Sequence, residues 1–305
     1  MTVAEASYEP TASLAPFEIR RPASLSAPFV FASPHSGRLY PPEMLAASLL
    51  DVASIRRSED AFVDVLAGAA PSHGAPLISV RYARAYVDVN REAYELDQAM
   101  FEDELPPFAR ARTARVAAGL GAIARVVAEG QEIYSRKLTF ADARRRIEAV
   151  HIPYHKALAA LIAEARAAFD IAILIDLHSM PSAAAEAACG RGDRTPDFVL
   201  GDRFGSACAP EVTRLVQETL QDMGYKVALN APYAGGYTTE FYGRPAEGTH
   251  ALQIEINRVL YLDERRLEPH GGFERLRTNL DRLFSRLAAA DLISQLRLAQ
   301  PNSDR

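Results

Sequence analysis

The sequence predicts one α/β domain, a three-layer α/β/α sandwich around a mixed sheet that is mostly parallel. Short runs of β-branched and aromatic residues alternate along the chain with longer helical stretches, which is typical of strands joined by crossover helices. Neither an internal repeat nor a break in composition divides the 305 residues. We therefore expect a single domain over residues 27–295, between an irregular segment at 1–26 and a tail at 296–305.

In the first part of the chain we expect three short strands, in APFVFASPHSG (27–37), APLISVRY (75–82) and RAYVDVNR (84–91). A helix is predicted between the first two, in SEDAFVDVLAGAAPSHG, with Ser58 as its N-cap. From Pro107 to about Phe169 the pattern is helical with breaks near Thr139 and Pro153, which suggests a helical hairpin.

The second part continues the alternation. Strands are predicted in IAILIDL (171–177), FVLG (198–201), YKVALN (225–230) and HALQIEI (250–256). Helices are predicted at about Ser206–Met223 and Pro269–Leu292, and a Gly-rich loop, APYAGGYTTEFYGRP (231–245), precedes the last strand. We expect this loop to be either a lid over a site or an ordinary long connection.

Composition narrows the classes of function. The formal net charge is −5, and acids are interspersed among the arginines, so neither nucleic acid nor an anionic membrane is expected as a partner. No run approaches the about 20 apolar residues of a membrane-spanning helix, and a secretory signal pattern is absent. The only two cysteines, Cys189 and Cys208, suit an intracellular protein better than a disulfide scaffold. We therefore expect a cytoplasmic protein.

Polar side chains collect at the ends of the predicted strands, where open α/β sheets bind their ligands. They are His35, Asn90, Arg91, Asp176, His178, Glu255, Asn257 and Arg258. Each histidine alone would be an ordinary hydrogen-bonding residue. Two of them with a carboxylate nearby favour a catalytic zinc site, which uses three protein ligands and keeps one position for water.

The acidic ligand has three candidates in the sequence. Glu59 and Asp60 stand near the start of a predicted helix, where helix capping is the alternative role. Asp176 lies two positions before His178 on the same face of a strand. We expect it to support that histidine by a hydrogen bond, because metal-binding histidines commonly donate to a carboxylate.

Glu255 is flanked by isoleucines at a strand end, where burial would raise its pKa towards that of a general base. A structural ion pair with Arg258 or Arg91 is the alternative. The Asn90-Arg91 and Asn257-Arg258 pairs suggest a substrate with carboxylates, because the guanidinium fork matches that group. His151 and His155 have helical spacing, but Pro153 between them favours a helix start over a metal pair.

Six segments taken together resemble the N-formylglutamate amidohydrolase family, in order from about residue 30 to 265. They are SPHSGRLYPPE, RRSEDAFVDVL, ARAYVDVNR, ILIDLHSMPS, AGGYTTEFYGRP and HALQIEINRVLYLDE. That family is similar to the zinc carboxypeptidase-like hydrolases, which use two histidines and an acid on one zinc ion, a late glutamate, and an Asn-Arg pair. The resemblance therefore implies a zinc-exopeptidase-like fold.

The resemblance also implies residue roles and an activity. The compact His-x-x-Glu is missing, since Arg38 stands three residues after His35, and matching the family's acidic segment favours Asp60 over Glu59. We expect zinc on His35, Asp60 (or Glu59) and His178, with Glu255 as the base. Arg91 would lie by the substrate carboxylate or by the oxyanion that develops in the reaction, and Asn90, Arg244 and Arg258 would help to bind substrate. Tyr237 would donate to the reaction intermediate.

The expected reaction is hydrolysis of N-formyl-L-glutamate to formate and L-glutamate, and the family suggests a place in histidine degradation. Three alternatives remain at this point: another N-acyl amino acid, a peptide-like amide, or a non-catalytic protein of the same fold that binds an acidic metabolite. The last would leave Glu255 and both histidines without a task.

Overall fold

The computed structural model describes residues 15–127, 130–189 and 194–299. Seven strands form the main sheet: β1 (Phe17–Arg20), β2 (Phe29–Ser33), β3 (Leu77–Val80), β4 (Ala172–Met180), β5 (Phe198–Gly201), β6 (Val227–Leu229) and β7 (Thr249–Asn257). A separate two-stranded ribbon pairs β8 (Leu262–Asp263) with β9 (Glu268–Pro269).

The strand order in the main sheet is β1-β3-β2-β4-β7-β5-β6. The central strands β3, β2, β4 and β7 run parallel to one another, and β5 runs parallel to β6. The pairs β1–β3 and β7–β5 are antiparallel. Every residue of β2, β4 and β7 is buried, as expected for strands covered on both faces.

The α-helices are α1 (Pro42–Ala47), α2 (Val52–Ile55), α3 (Val63–Leu66), α4 (Ala114–Ala117), α5 (Phe140–Arg146), α6 (Ile152–Phe169), α7 (Ser182–Ala187), α8 (Pro210–Asp222), α9 (Tyr237–Tyr242), α10 (Phe273–Ala289) and α11 (Leu292–Ala299). Short 3₁₀ helices span Arg56–Ser58, Ala67–His73, Gln98–Met100, Pro245–Glu247 and Arg258–Leu260. A short π-helix, Ile147–His151, joins α5 to α6. No helix in these ranges is long and apolar enough to cross a membrane.

Two apolar cores lie on opposite faces of the sheet. One contains side chains of α3, α8, α10 and α11, including Leu66, Val216 and Phe284. The other contains α1, α5 and α6 together with the connecting chain, including Tyr154 and Leu158. The prediction of a three-layer sandwich with a mostly parallel mixed sheet is therefore confirmed.

The predicted segment RAYVDVNR is not a strand. The chain turns there, with the amide of Tyr86 bonded to the Ala83 carbonyl, and the segment shows no strand pairing. Its alternating apolar residues, Val87 and Val89, are buried in the second core instead. Burial alone therefore explains the pattern that suggested a strand, and the turn carries Asp88 and Asn90 into the candidate site.

Other differences concern helices and the ends of the domain. The helix predicted after Ser58 is interrupted, because Phe62 has a left-handed backbone (φ 64°), and only α3 and a 3₁₀ helix follow. The predicted hairpin is instead α4 and irregular chain followed by one helical rod, α5 to α6. The break expected near Thr139 is the N-cap of this rod, whereas Pro153 lies in the first turn of α6 and does not end it. The segment expected to be irregular, 1–26, contributes edge strand β1, and α11 extends into the expected tail. Residues 1–14 and 300–305 lie outside the described residues.

Candidate active site

The candidate site lies at the edge of the sheet where β2, β4 and β7 end. The register of β4 on β7 places His178 beside Glu255 and Asp176 beside Gln253. Side chains two apart on a strand share a face, so these four groups form two adjacent rows. His35 arrives in the turn after β2, where Gly37 passes against the backbone of Tyr82: a Cβ on Gly37 would lie 2.1 Å from that carbonyl oxygen.

Three donor atoms converge at this edge. His178 Nδ1 lies 3.1 Å from His35 Nδ1 and 3.1 Å from Asp60 Oδ2, and His35 Nδ1 lies 3.5 Å from the same Asp60 oxygen. Tetrahedral zinc with bonds of about 2.0–2.1 Å separates its ligand atoms by roughly 3.3 Å. The three side chains therefore match one face of such a site, and in the described ranges no other group of His, Cys, Asp or Glu converges in this way.

Both histidine rings are also bonded on their far side. His35 Nε2 donates to Asp88 Oδ1 (2.7 Å), and His178 Nε2 donates to Asp176 Oδ2 (3.0 Å). These bonds select the tautomer in which both Nδ1 atoms carry a lone pair towards the shared centre, as carboxylates do behind metal-binding histidines. The buried residues thus fit a divalent metal ion on chemical as well as geometric grounds.

The electrostatics of the cluster favour a cation. Burial alone would raise the pKa of Asp60, but its hydrogen bonds to His178 and His35 hold that pKa well below the usual range. Burial alone would lower the pKa of His178, yet Asp176 and Asp60 raise it well above its usual value. Buried carboxylates therefore surround the imidazoles and draw positive charge to this point.

Glu255 lies on the same side of the sheet and lines the same cavity. It is 7% exposed, and burial raises its pKa to about 7. One of its oxygens accepts a hydrogen bond from the Gln253 side-chain amide (2.8 Å). A buried carboxyl group with this pKa can exchange a proton near neutral pH, as a general base must.

The cavity beside the cluster has a volume of ≈ 610 Å³ and carries an excess of arginines. Its floor holds His35, Asp60, His178 and Glu255. Five arginines also line it: Arg57, Arg84, Arg91, Arg115 and Arg258. Apolar residues of the 118–127 segment, including Leu120 and Val127, form another part of its wall. The arrangement suits a small anionic molecule with an apolar portion.

Asn90 and Arg91 both lie at this cavity, as expected. The Asn90 side-chain oxygen accepts from the Thr238 amide (2.8 Å), and its amide nitrogen lies 3.2 Å from His178 Nε2. Arg91 donates from Nε to the Leu120 carbonyl and from Nη1 to the Asn90 carbonyl, so its guanidinium is braced by backbone.

Two other expected site residues, Arg258 and Glu59, lie in different surroundings. Arg258 lines the cavity but donates to Asp60 Oδ1 (3.1 Å) and to Ser179 Oγ (3.2 Å). Glu59 points away from the cluster and accepts from Tyr40 and Arg56. The structure therefore brings Asp60 to the histidines and leaves Glu59 with Tyr40 and Arg56 instead.

Two expected substrate-contacting residues lie outside this cavity. Arg244 lines a different groove beside α6 and α9. Tyr237 begins α9 and packs against His155 (ring centroids 5.5 Å apart) and Phe241 (5.3 Å). Tyr233, from the same Gly-rich loop, lines the cavity instead.

His151 and His155 are not a metal pair in this arrangement. His151 Nε2 donates to the Arg91 carbonyl and His155 Nε2 to the Val89 carbonyl, each at 2.8 Å. Burial lowers the pKa of both, to about 3 for His155. The pair therefore holds the chain on either side of Asn90.

Several residues of the cavity were not singled out from the sequence, among them Asp88, Arg84, Arg115, Tyr233 and Gln253. Asp88 joins His35 to Arg84, whose Nη2 donates to its second oxygen (2.8 Å). One signal was present: Asp88 is an acid between two valines shortly before Asn90, as Asp176 is an acid between apolar residues shortly before His178. The strand assumed for that segment concealed it.

Comparisons with known proteins agree with the resemblance in the sequence. A family model described as N-formylglutamate amidohydrolase matches residues 27–262. The N-formylglutamate deformylase of Pseudomonas aeruginosa is 30% identical over 241 residues, which are 78% of this chain and 83% of the relative. That of Pseudomonas putida is 28% identical over 240 residues, 78% of this chain and 82% of the relative.

Solved structures give the same result. The N-formylglutamate amidohydrolase from Ralstonia eutropha JMP134 superimposes with a TM-score of 0.86 at 36% identity, over 94% of this chain and 100% of the other. A protein from Agrobacterium tumefaciens at 17% identity shares the fold with a TM-score of 0.62, over 90% of this chain and 94% of its own. The resemblance seen in the six segments is therefore confirmed.

Proposed function

Because the chain belongs to the N-formylglutamate amidohydrolase family, we propose that it hydrolyses N-formyl-L-glutamate to formate and L-glutamate. The observation that carries this proposal is the meeting of His35, Asp60, His178 and Glu255 in one arginine-lined cavity. A metal-ligand set beside a buried carboxyl group can activate water for the hydrolysis of an amide, and the arginines suit a substrate with two carboxylates.

We assign the metal site to His35, Asp60 and His178, with one zinc ion as the expected cofactor. The spacing of the donor atoms and the carboxylates behind both imidazoles support this assignment. Zinc in such a site lowers the pKa of a water molecule and polarises a carbonyl oxygen. Arg258 holds the second oxygen of Asp60, so we treat it as a residue that orients this ligand.

Glu255 is the proposed proton carrier. Its carboxylate accepts a proton from the water that attacks the formyl carbon, and it returns this proton to the nitrogen as the carbon–nitrogen bond breaks. The products are then formate and the free amine of glutamate. Burial supports this role because it raises the pKa of Glu255 to about 7. A carboxyl group with this pKa can both take up and release a proton at neutral pH.

Recognition of the glutamate part is assigned to Asn90 and Arg91, with Arg84 and Arg115 adding positive charge to the cavity. A carboxylate accepts two parallel bonds from a guanidinium, which orients the substrate as well as attracting it. The location of Arg244 in another groove argues against its earlier assignment. Tyr233, which lines the cavity, is a better candidate than Tyr237 for donating to the reaction intermediate.

The proposed setting is the cytoplasm, with a small-molecule substrate and a place in histidine degradation. Both cysteines are free thiols, and Cys208 is buried. This is what a reducing compartment preserves.

The decisive experiment measures formate release from N-formyl-L-glutamate by the purified protein, with and without a chelator, and with zinc added back. We expect turnover that the chelator abolishes and zinc restores. Glu255→Gln should lose at least about 1,000-fold in kcat, whereas Glu218→Gln, an exposed change of the same kind on α8, should have no effect. Absence of metal-dependent release, or full activity in Glu255→Gln, would refute the proposal.

A panel of N-formyl and N-acetyl amino acids tests the substrate. We expect N-formylglutamate to be preferred over N-formylglutamine and over N-acetylglutamate. A preference for an uncharged N-acyl amino acid would keep the chemistry and reject the substrate. Binding of glutamate derivatives without turnover in the zinc-loaded protein would favour a non-catalytic role.

A further inference from the structure

We propose that Gln253 is a positioning residue, which holds the Glu255 carboxylate in place and links it to the Gly-rich loop at 234–236. Gln253 lies two residues before Glu255 on β7, is 4% exposed and lines the same cavity. The proposal rests on the function proposed above, because it assigns Gln253 its role through Glu255.

Both polar atoms of the Gln253 side-chain amide form hydrogen bonds. Its Oε1 accepts the Gly236 backbone N–H (2.7 Å), and its Nε2 donates to Glu255 Oε1 (2.8 Å). A backbone N–H can only meet an acceptor, so the oxygen must face Gly236 and the NH₂ group must face Glu255. The loop therefore determines the orientation of the amide, and the amide determines where Glu255 receives a donor.

The loop itself is held closely at this point. A Cβ on Gly236 would lie 2.4 Å from Asn90 Nδ2, and a Cβ on Gly201 would lie 2.6 Å from the Ala234 carbonyl carbon. The Thr238 amide donates to Asn90 Oδ1. The Gly236 N–H is thus fixed between β5 and Asn90, and a fixed donor can hold the Gln253 oxygen in one rotamer.

The neighbouring strand repeats this construction. On β4, Asp176 bonds to His178 two residues later, and the strands are in register so that Asp176 lies beside Gln253 and His178 beside Glu255. On each strand a buried polar side chain orients the cavity-facing group two residues later. Asp176 orients His178 on β4, and Gln253 orients Glu255 on β7. The difference in chemistry fits the difference in role: an anion behind an imidazole, and a donor beside a carboxylate.

A purely structural role is the competing explanation, since a buried amide with two bonds also satisfies the loop and contributes to folding. The two explanations differ in one respect. If Gln253 acts through Glu255, replacing Gln253 must reduce activity by a smaller factor in a variant whose carboxylate at position 255 no longer reaches Gln253. If it only supports the fold, its loss must reduce activity by the same factor whatever stands at position 255.

The test is a double-mutant cycle on formate release by the zinc-loaded protein, with Gln253→Met, Glu255→Asp and the double variant. We expect Gln253→Met to lower kcat roughly 10- to 100-fold with KM within about 3-fold, because a hydrogen bond to a charged group is lost. In the Glu255→Asp background, whose shorter side chain withdraws the carboxylate, the same change should cost less than about 3-fold.

Gln253→Glu separates the two bonds, because it keeps an acceptor for Gly236 and replaces the neutral donor by a second carboxyl group, which must either repel the Glu255 carboxylate or share its proton and so disturb its titration. We expect it to lose activity at least as strongly as Gln253→Met while its zinc content stays unchanged. Gln221→Met and Gln221→Glu, at an exposed position of α8, are the matched controls and should behave as wild type.

Equal factors in the two backgrounds, or full activity in Gln253→Glu, would overturn the role of Gln253 while leaving the proposed function intact. Failure of the proposed function would look different, because the wild-type protein would then release no formate.

Discussion

Asp88 binds His35 and Arg84 at the same time: one carboxylate oxygen accepts from His35 Nε2 at 2.7 Å and the other from Arg84 Nη2 at 2.8 Å. Burial alone would raise the pKa of Asp88, but His35 and the neighbouring arginines hold it well below its usual range. Asp88 is therefore an anion that fixes the ring and tautomer of His35.

Replacing Asp88 by Asn should weaken zinc binding, because the imidazole loses its charged partner. The expected loss of zinc affinity is roughly 10- to 100-fold, with activity partly restored by excess zinc. Competition with a chromogenic chelator measures it. Asp281→Asn is the matched control, since Asp281 forms an exposed pair with His73. Unchanged affinity in Asp88→Asn would contradict the assignment of His35 as a ligand.

The two adjacent acids, Glu59 and Asp60, should respond differently to amidation. Asp60→Asn removes an anionic donor from the cluster, so the purified variant should contain little zinc and release little formate. Glu59→Gln should keep its zinc and lose about 1–3 kcal/mol of stability, because the Glu59 side chain is fully buried and its charged bonds to Tyr40 and Arg56 are weakened. Elemental analysis and urea unfolding give both results, and the reverse pattern would make Glu59 the ligand.

Arg115 should contribute to selectivity for an acidic side chain. It lines the cavity, and burial together with the charges of Arg84 and Arg115 lowers the pKa of Arg91. Its charge acts on Arg91 in the same cavity, where a ligand carboxylate would reduce the repulsion between the two guanidinium groups.

We expect Arg115→Met to lower kcat/KM for N-formylglutamate roughly 10-fold or more and to change that for N-formylglutamine little. Arg112→Met, at an exposed position, is the control. An equal loss for both substrates would assign Arg115 a structural role.

His250 should make the fold less stable in mild acid. Burial lowers its pKa to about 4, and its Nδ1 accepts the Ala209 amide proton, so protonation would remove this bond. The folded pKa is below the unfolded value of about 6.5, so the unfolded chain binds the proton first, and this stability is present above pH 6.5 and lost as the pH falls towards 4.

The expected contribution of His250 is a loss of about 2 kcal/mol between pH 7 and pH 5. Urea unfolding of wild type and His250→Gln at both values measures it, and the variant should show a smaller difference between them. The same pH dependence in both proteins would show that His250 does not titrate in this range.

Much of the fold was predictable because strands that are buried on both faces of a sheet appear in the sequence as short apolar runs. The runs at β2, β4 and β7 are apolar, they end in polar residues, and parallel strands bring such ends to one edge. His35, His178 and Glu255 could be singled out for that reason. The same reasoning gave a wrong strand in the RAYVDVNR segment, because its valines are buried in a turn and not in a strand.

The sequence by itself determined the class of sheet and singled out two histidines and a glutamate at its edge, since these follow from local periodicity and from residues that end strands. The family came from the resemblance of six segments. Tertiary structure alone decided which acid meets the histidines. Glu59 and Asp60 are adjacent, and their directions depend on different partners. Glu59 meets Arg56 of the preceding turn and Tyr40 from after β2, and Asp60 meets Arg258 from beyond β7, 198 positions away. The same holds for Asp88 behind His35 and for Gln253 between Gly236 and Glu255. A side chain's partner across the fold depends on how separate segments pack, and no local pattern encodes that packing.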